Sequence, residues 1–230
     1  MRWGAIGFTL AGAALVSGCA GAFDPQASQS RNIDGLWWVM LWLACAVFLV
    51  VTGLLVYALF RPRRTSVFER KARSGPLFIF IGGAVIPLLI LCAVFGYSLD
   101  VVANAGSDSH DQLVVLIDAH QWWYDVSYQG QDVSVRNELH LPEHRQVKLL
   151  LRSGDVIHSF WVPELNGKMD IIPGITNQLY ITDPAPGHYV GHCAEFCGIG
   201  HTTMDIDVVV EPEAAFEAWI AAHRGTGTGA

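Results

Sequence analysis

The chain has 230 residues, 52% of them hydrophobic and 15% charged, and a formal net charge of −7. So apolar a composition exceeds that of an ordinary soluble domain and calls for membrane-spanning segments. From Asp100 onward, 18 Asp plus Glu face 6 Lys plus Arg, a formal charge of −12, which argues against a nucleic-acid binder and for a basic partner.

Residues 1–19 carry Arg2, an apolar run from Ala5 to Val16 and the ending Val16-Ser17-Gly18-Cys19, and read as a secretory leader. That ending resembles a bacterial lipobox, which would leave Cys19 acylated at the mature N-terminus, with ordinary cleavage beyond Cys19 as the alternative. Residues 20–34 are small and polar and read as a linker. Residues 35–100 read as a transmembrane helical hairpin. Its first span, Leu36 to Phe60, has no charge and carries Trp37, Trp38 and Trp42 near its outer end. Six basic residues follow between Arg61 and Arg73. The second span, Leu77 to Leu99, contains Gly82-Gly83 and Pro87, which a packed membrane helix tolerates. The positive-inside rule puts the basic loop in the cytoplasm. The N-terminus and the chain beyond residue 100 are then expected on the periplasmic side of a bacterial inner membrane.

Residues 101–224 change character. Gln112–Ile117, Trp122–Tyr128, Gln146–Leu151, His158–Val162, Asn177–Thr182, His188–Gly191 and Asp205–Val210 are β-branched or aromatic runs separated by turn residues. This spacing predicts an all-β sandwich or Greek-key barrel. A C-terminal helix is expected from Pro212 to Arg224, with Pro212 at its first position and Phe216, Trp219 and Ile220 on one face. Residues 225–230 read as a disordered tail.

The densest chemistry lies late in this domain, in His192-Cys193-Ala194-Glu195-Phe196-Cys197-Gly198-Ile199-Gly200-His201-Thr202-Thr203-Met204. Two thiols, an imidazole and a thioether are a donor set suited to copper. A single blue-copper ion needs only one Cys, so the second thiol points to two coppers bridged by both sulfurs, with one more histidine required. His158, in the apolar run Asp155 to Pro163, is the candidate. A Cys193–Cys197 disulfide, a zinc site, and simple core packing of His201 and Met204 remain alternatives. A c-type haem is excluded, because Cys-x-x-Cys-His is absent.

This loop, with Asp155 to Pro163, Lys168-Met169-Asp170 and His120-Gln121-Trp122-Trp123-Tyr124, resembles subunit II of bacterial cytochrome c oxidase over nearly the whole mature chain. The resemblance implies a cupredoxin-like domain holding a binuclear, mixed-valence CuA centre. Cys193 and Cys197 would bridge, His158 and Met204 would complete one copper, and His201 with the Glu195 carbonyl the other. It further implies that Trp122 is the point of electron entry from cytochrome c, and that electrons pass to the haems of subunit I, where oxygen is reduced to water with proton translocation. The other partners implied are subunit III and a magnesium ion reached by the Glu195 carboxylate at the contact with subunit I. Asp125 and Asp155 are expected on the face that docks a lysine-rich cytochrome.

Two departures stand out. The family's Trp-Tyr-Trp order becomes Trp122-Trp123-Tyr124, and Phe80 stands where the family often has a glutamate at the mouth of a proton channel, leaving Glu69 as a nearby acid. Rival readings are a quinol oxidase subunit, which lacks the copper ligands, a nitrous oxide reductase, which needs a much larger partner domain, and a free-standing anchored cupredoxin.

Overall fold

A computed structural model describes residues 23–61, 75–106, 108–109 and 112–226. The leader with Cys19, Glu69 with most of the basic segment, and residues 227–230 lie outside the described residues.

The chain divides into two compact units, Gly35–Asn104 and the rest. The first unit holds most of α1 (Ser28–Phe60) and α2 (Gly75–Ala103), both long and apolar enough to cross a membrane. Within α2 the segment Ile81–Val85 is π-helical, and the Ile86 N–H donates to the Ile81 carbonyl. Pro87 explains the shift: it has no N–H to offer one turn back, so the ladder widens at Gly82-Gly83 and resumes beyond. Phe80 ends the α-helical turn just before it.

The second unit is a β-sandwich with a helix. Strands β1 (Leu113–His120), β2 (Trp123–Tyr128), β3 (Val133–Arg136), β5 (Val147–Ser153) and β8 (Asn177–Ile181) form one sheet in the order β3-β2-β1-β5-β8. Strands β4 (Glu138–Pro142), β9 (Gly187–His192) and β10 (Asp205–Glu211) form a second, in the order β4-β10-β9. A small ladder pairs β6 (His158–Phe160) with β7 (Met169–Ile171). Alternation along the strands turns Val115, Ile117 and Ala119, with Tyr124 and Val126, into one core shared with Leu139, Ile206 and Val208 of the second sheet. The parallel pairing of β1 with β5 carries their C-terminal ends, His120 and Ser153, to one end of the sandwich, where the metal-ligand candidates gather.

Helix α3 (Glu213–His223) buries Phe216 and Ile220 against the sheets, and its Trp219 stacks on His140 at 4.0 Å. Pro212 is the N-cap, with extended backbone, rather than the first helical residue. Gly225 and Thr226, expected in a disordered tail, are bonded to the β domain: the Gly225 N–H donates to the Asp132 carbonyl, and the Thr226 hydroxyl accepts from the Ser134 N–H.

The expected linker is also revised. Helix α1 begins at Ser28, and the segment before and within its first turn is built into the β domain. Ala27 is fully buried, Ser28 N–H donates to the Thr182 carbonyl, and the Ser30 hydroxyl donates to the Glu164 carbonyl at 2.6 Å. The Gln29 amide closes a two-way pair with Thr182, accepting its N–H at 2.9 Å and donating to its hydroxyl at 2.8 Å. Polar residues that look like a linker in sequence are therefore partners for the domain's own backbone. Gln29→Ala strands the Thr182 N–H and is expected to destabilise the β domain by about 1–3 kcal/mol, read as a lowered thermal midpoint in detergent; an unchanged midpoint would mean that the strap carries no stability.

Candidate metal centre

The ligand candidates come from two places. Strand β6 supplies His158, fully buried, in a ladder whose other strand is locked by Ser159, its hydroxyl donating to the Met169 carbonyl at 3.1 Å. The loop from β9 to β10 supplies the rest, and its two ends are tied together by the Cys193 N–H on the Met204 carbonyl at 3.0 Å. A single 3-10 turn, His201–Thr203, brings His201 back toward Cys197.

The sulfur atoms of Cys193 and Cys197 lie 3.8 Å apart as free thiols, not as a disulfide. Around them, His158 Nδ1 is 4.0 Å from the Cys193 sulfur, and the Glu195 carbonyl oxygen is 3.2 Å from it. On the other side, His201 Nδ1 and the Met204 sulfur are each 3.8 Å from the Cys197 sulfur. All six residues named from sequence are thus brought together. A thiolate bond to a first-row ion of about 2.3 Å puts two sulfurs that share a tetrahedral ion a little under 4 Å apart, so the thiols have the spacing of ligands to a common metal. The donors are also placed symmetrically, a nitrogen beside each sulfur, with a carbonyl added on one side and a thioether on the other. This arrangement fits the soft, mixed donor chemistry of copper.

Electrostatics make the pair ready for a cation. Burial, then the charge and hydrogen bond of Cys193, push the Cys197 thiol up to about 12. Two thiolates so close in a buried site are not stable without a positive charge between them, so metal binding and loss of thiol protons go together. Tyr124 is wholly buried nearby, its hydroxyl donating to the Ser159 carbonyl at 2.9 Å, and burial followed by the charge of Cys193 raises it far above an ordinary phenol.

Around these donors lies a ring of hydrogen bonds that sequence reading assigned otherwise or missed. Asp155, expected on a docking face, instead pairs with His158 Nε2 at 2.8 Å through one oxygen and accepts the Gln121 N–H at 2.7 Å through the other. Burial alone would raise its carboxyl, but the hydrogen bonds from His158, Val156 and Gln121 outweigh that and hold it below the usual range. A carboxylate behind an imidazole fixes the ring so that Nδ1 faces the metal side, as in many metal sites. Gln121 then reaches the loop with its side chain, donating to the Cys197 carbonyl at 2.7 Å, and the Trp122 indole N–H donates to the same carbonyl at 3.3 Å.

The three aromatics of the altered motif separate cleanly. Trp122 is half-buried against the loop, Tyr124 is core, and Trp123 lies on the outer face of its sheet under the Arg136 guanidinium, 4.7 Å from the ring centre. The Glu195 carboxylate is held by Lys168 Nζ at 3.2 Å, and Lys168 also holds Asp170.

Residues 127–211, which include all six ligand candidates, match the family model for the periplasmic domain of cytochrome c oxidase subunit II. Among curated relatives, cytochrome c oxidase subunit 2 of Alkalihalophilus pseudofirmus is 28% identical over 90% of this chain and 64% of its own length. The Cereibacter sphaeroides protein of that name is 28% identical over 88% of this chain and 78% of its own length. A probable subunit 2 from Rickettsia prowazekii is 30% identical over 81% of this chain and 66% of its own length. The chain thus spans 64% to 78% of the length of these relatives, and less than two thirds of the Alkalihalophilus pseudofirmus protein. The crystal structure of the periplasmic domain of subunit II of the cytochrome oxidase of Bradyrhizobium japonicum is 23% identical, with 53% of this chain covering 99% of that one at a TM-score of 0.49. With the matched domain carrying the paired thiols, imidazoles and thioether, and with two apolar helices that mark a membrane-anchored protein, this chain belongs to the cytochrome c oxidase subunit II family.

Proposed function

We propose that the chain is the electron-entry subunit of a cytochrome c oxidase, taking electrons from cytochrome c at a binuclear CuA centre and passing them to the haems of subunit I, where oxygen is reduced to water with proton translocation. The observation that carries this is the spacing of the donors: two thiols 3.8 Å apart, each with an imidazole nitrogen within 4.0 Å. Copper bound there supplies a one-electron couple. The chain's own residues keep the donors fixed: Asp155 holds His158, Gln121 holds the Cys197 carbonyl, and the β9–β10 clamp holds both ends of the loop. Ligands fixed by their supports move little when charge changes, which favours fast transfer. Trp122 offers the entry, because its indole is hydrogen-bonded to the carbonyl of a bridging ligand.

In the same reading the two helices cross the inner membrane with the β domain on the periplasmic side, and subunits I and III are the partner chains. The Glu195 carboxylate would serve a magnesium ion at the contact with subunit I, leaving Lys168 to Asp170. The leader would be removed, with Cys19 as the lipidation site.

The test uses the full chain in detergent, because residues 26–31 are part of the β domain. Copper loading is expected to give two coppers per chain and a paramagnetic resonance spectrum in which one unpaired electron couples to both nuclei. One localised copper, or preference for zinc over copper, would sink the binuclear assignment.

A further inference from the structure

Cys193 is buried, and the three groups that crowd its sulfur give it no hydrogen bond once its proton has gone. The Glu195 carbonyl, 3.2 Å away, can only accept. His158 turns Nδ1 toward the sulfur at 4.0 Å because Asp155 holds Nε2. Cys197, 3.8 Å away, gives up its own proton when metal binds. A charge so enclosed calls for a donor in addition to a metal.

One donor is at hand. Strand β2 alternates, so Trp123 lies outside and Tyr124 inside, and the order Trp122-Trp123-Tyr124 therefore sends a hydroxyl into the core. Tyr124 stands edge-on to Phe160 of β6, with ring centroids 6.3 Å apart, and its hydroxyl donates to the Ser159 carbonyl at 2.9 Å, one residue past His158. Burial, then the charge of Cys193 and a hydrogen bond to its side chain, push the phenol up, so the same hydroxyl also reaches that sulfur. A phenol has one proton to donate and here has two acceptors: a neutral carbonyl, and a sulfur that becomes anionic on metal binding. A hydrogen bond to a charged acceptor is roughly twice as strong.

We propose that Tyr124 is a positioning residue of the copper centre, whose O–H turns from the Ser159 carbonyl to the Cys193 thiolate and thereby raises the affinity of the centre for an electron. This rests on the reading of the loop as a binuclear copper centre, and deepens it. The thiol proton leaves to solvent as copper takes its place, and the phenol keeps its own proton throughout. The sign follows from charge: a donor on the sulfur reduces what the thiolate gives to copper, which favours the reduced state. The effect is one-sided. The Cys197 sulfur faces His201 Nδ1 and the Met204 sulfur, and Gln121 and Trp122 bond its carbonyl instead. The two bridges are unequal, and the unpaired electron is weighted toward Cys197, whose carbonyl Trp122 touches.

The experiment uses the full chain in detergent, loaded with copper in H2O and in D2O, as wild type, Tyr124→Phe and Tyr128→Phe. Tyr128 is the matched control: it is buried on the same strand, and its hydroxyl donates to the His140 carbonyl at 3.0 Å. Wild type and Tyr128→Phe are expected to share an exchangeable proton coupling, seen by electron-nuclear double resonance, that Tyr124→Phe lacks. Tyr124→Phe should keep both coppers and lower the equilibrium constant for electron uptake from a redox dye by about three- to tenfold, tenfold being about 59 mV for one electron. Tyr128→Phe should leave it within about twofold, although each variant loses one buried hydrogen bond and some thermal stability. That contrast separates a bond to the sulfur from a general loosening of the fold. A Tyr124→Phe with the wild-type potential and the exchangeable coupling intact overturns the proposal, as does an equal fall in potential in both variants. A Tyr124→Phe that holds fewer than two coppers makes the residue a structural support and overturns it too. If Tyr124→Phe does not fold, the wild type decides alone: an unchanged double-resonance spectrum in D2O overturns the proposal. A wild-type chain without the two-copper spectrum is a different failure, that of the metal reading itself.

Discussion

Cys193→Ser is expected to abolish the two-copper spectrum, to reduce bound copper to one per chain or none, and to cut electron entry from reduced cytochrome c by more than about a hundredfold. Cys193 is the node of the site: the Cys197 sulfur, His158 Nδ1 and the Glu195 carbonyl all lie within 4.0 Å of its sulfur. Supporting residues behind a metal ligand are already worth about 10–100-fold in affinity, so removal of a shared ligand exceeds that range. A serine hydroxyl does not ionise near neutral pH and is a poor bridge between soft ions. The metal-free fold should survive, because the new hydroxyl can donate to the Glu195 carbonyl that the thiol now faces, and the net change stays within about 1 kcal/mol. The two effects separate in one experiment. Copper at about a hundred times its dissociation constant stabilises the wild-type fold by about 2.7 kcal/mol, and this increment in thermal midpoint should shrink or vanish in the variant while the metal-free midpoint is kept. A variant that retains two coppers and the coupled spectrum would refute the bridging role.

The cluster of ligand candidates was legible because residue type and spacing are local: Cys193, Cys197, His201 and Met204 lie on one loop, and His158 was the candidate imidazole in a rigid β run. What surrounds them was not legible, because cross-strand register decides it. Asp125 faces Arg136 only because β2 pairs with β3 in that register, and His120 stacks on Trp123 only because the β1–β2 hairpin closes there. Read along the chain, Asp125 and Asp155 look like docking charges; in the fold both are hydrogen-bonded to their neighbours. Strands β3, β4 and β7 escaped detection for related reasons. β3 and β4 are separated by one residue, Asn137, in the left-handed region at φ 54°, so the chain passes from one sheet to the other where no turn cluster marks a break. β7 has three residues and exists only as the partner of β6. The start of α1 was hidden because Gln29 and Ser30 answer backbone groups more than a hundred residues away, and no local pattern records such a partner.

Gly200→Ala is expected to slow electron entry by about ten- to a hundredfold while leaving both coppers bound, the converse of Cys193→Ser. The backbone at Gly200 has φ −92° and ψ 7°, which alanine adopts without strain. The cost is purely steric, since an added methyl would lie 2.4 Å from Cδ2 and 2.5 Å from Cγ of Trp122. Those atoms are at the root of the indole, so the whole ring must move, and Gly198 on its other edge leaves 3.3–3.4 Å of clearance for its own absent Cβ. Displacement breaks the indole hydrogen bond to the Cys197 carbonyl, the contact that joins Trp122 to the proposed metal loop. Overpacking of this kind costs about 1–3 kcal/mol, which should appear as a modestly lowered midpoint. Gly198→Ala makes the informative contrast. At φ 121° it strains the main chain that follows Cys197 and should therefore disturb the copper spectrum itself. If Gly200→Ala leaves the entry rate unchanged although tryptophan fluorescence shows the ring displaced, the electron does not pass through Trp122, and the route must run directly from a docked donor to the loop that carries Ile199 and His201.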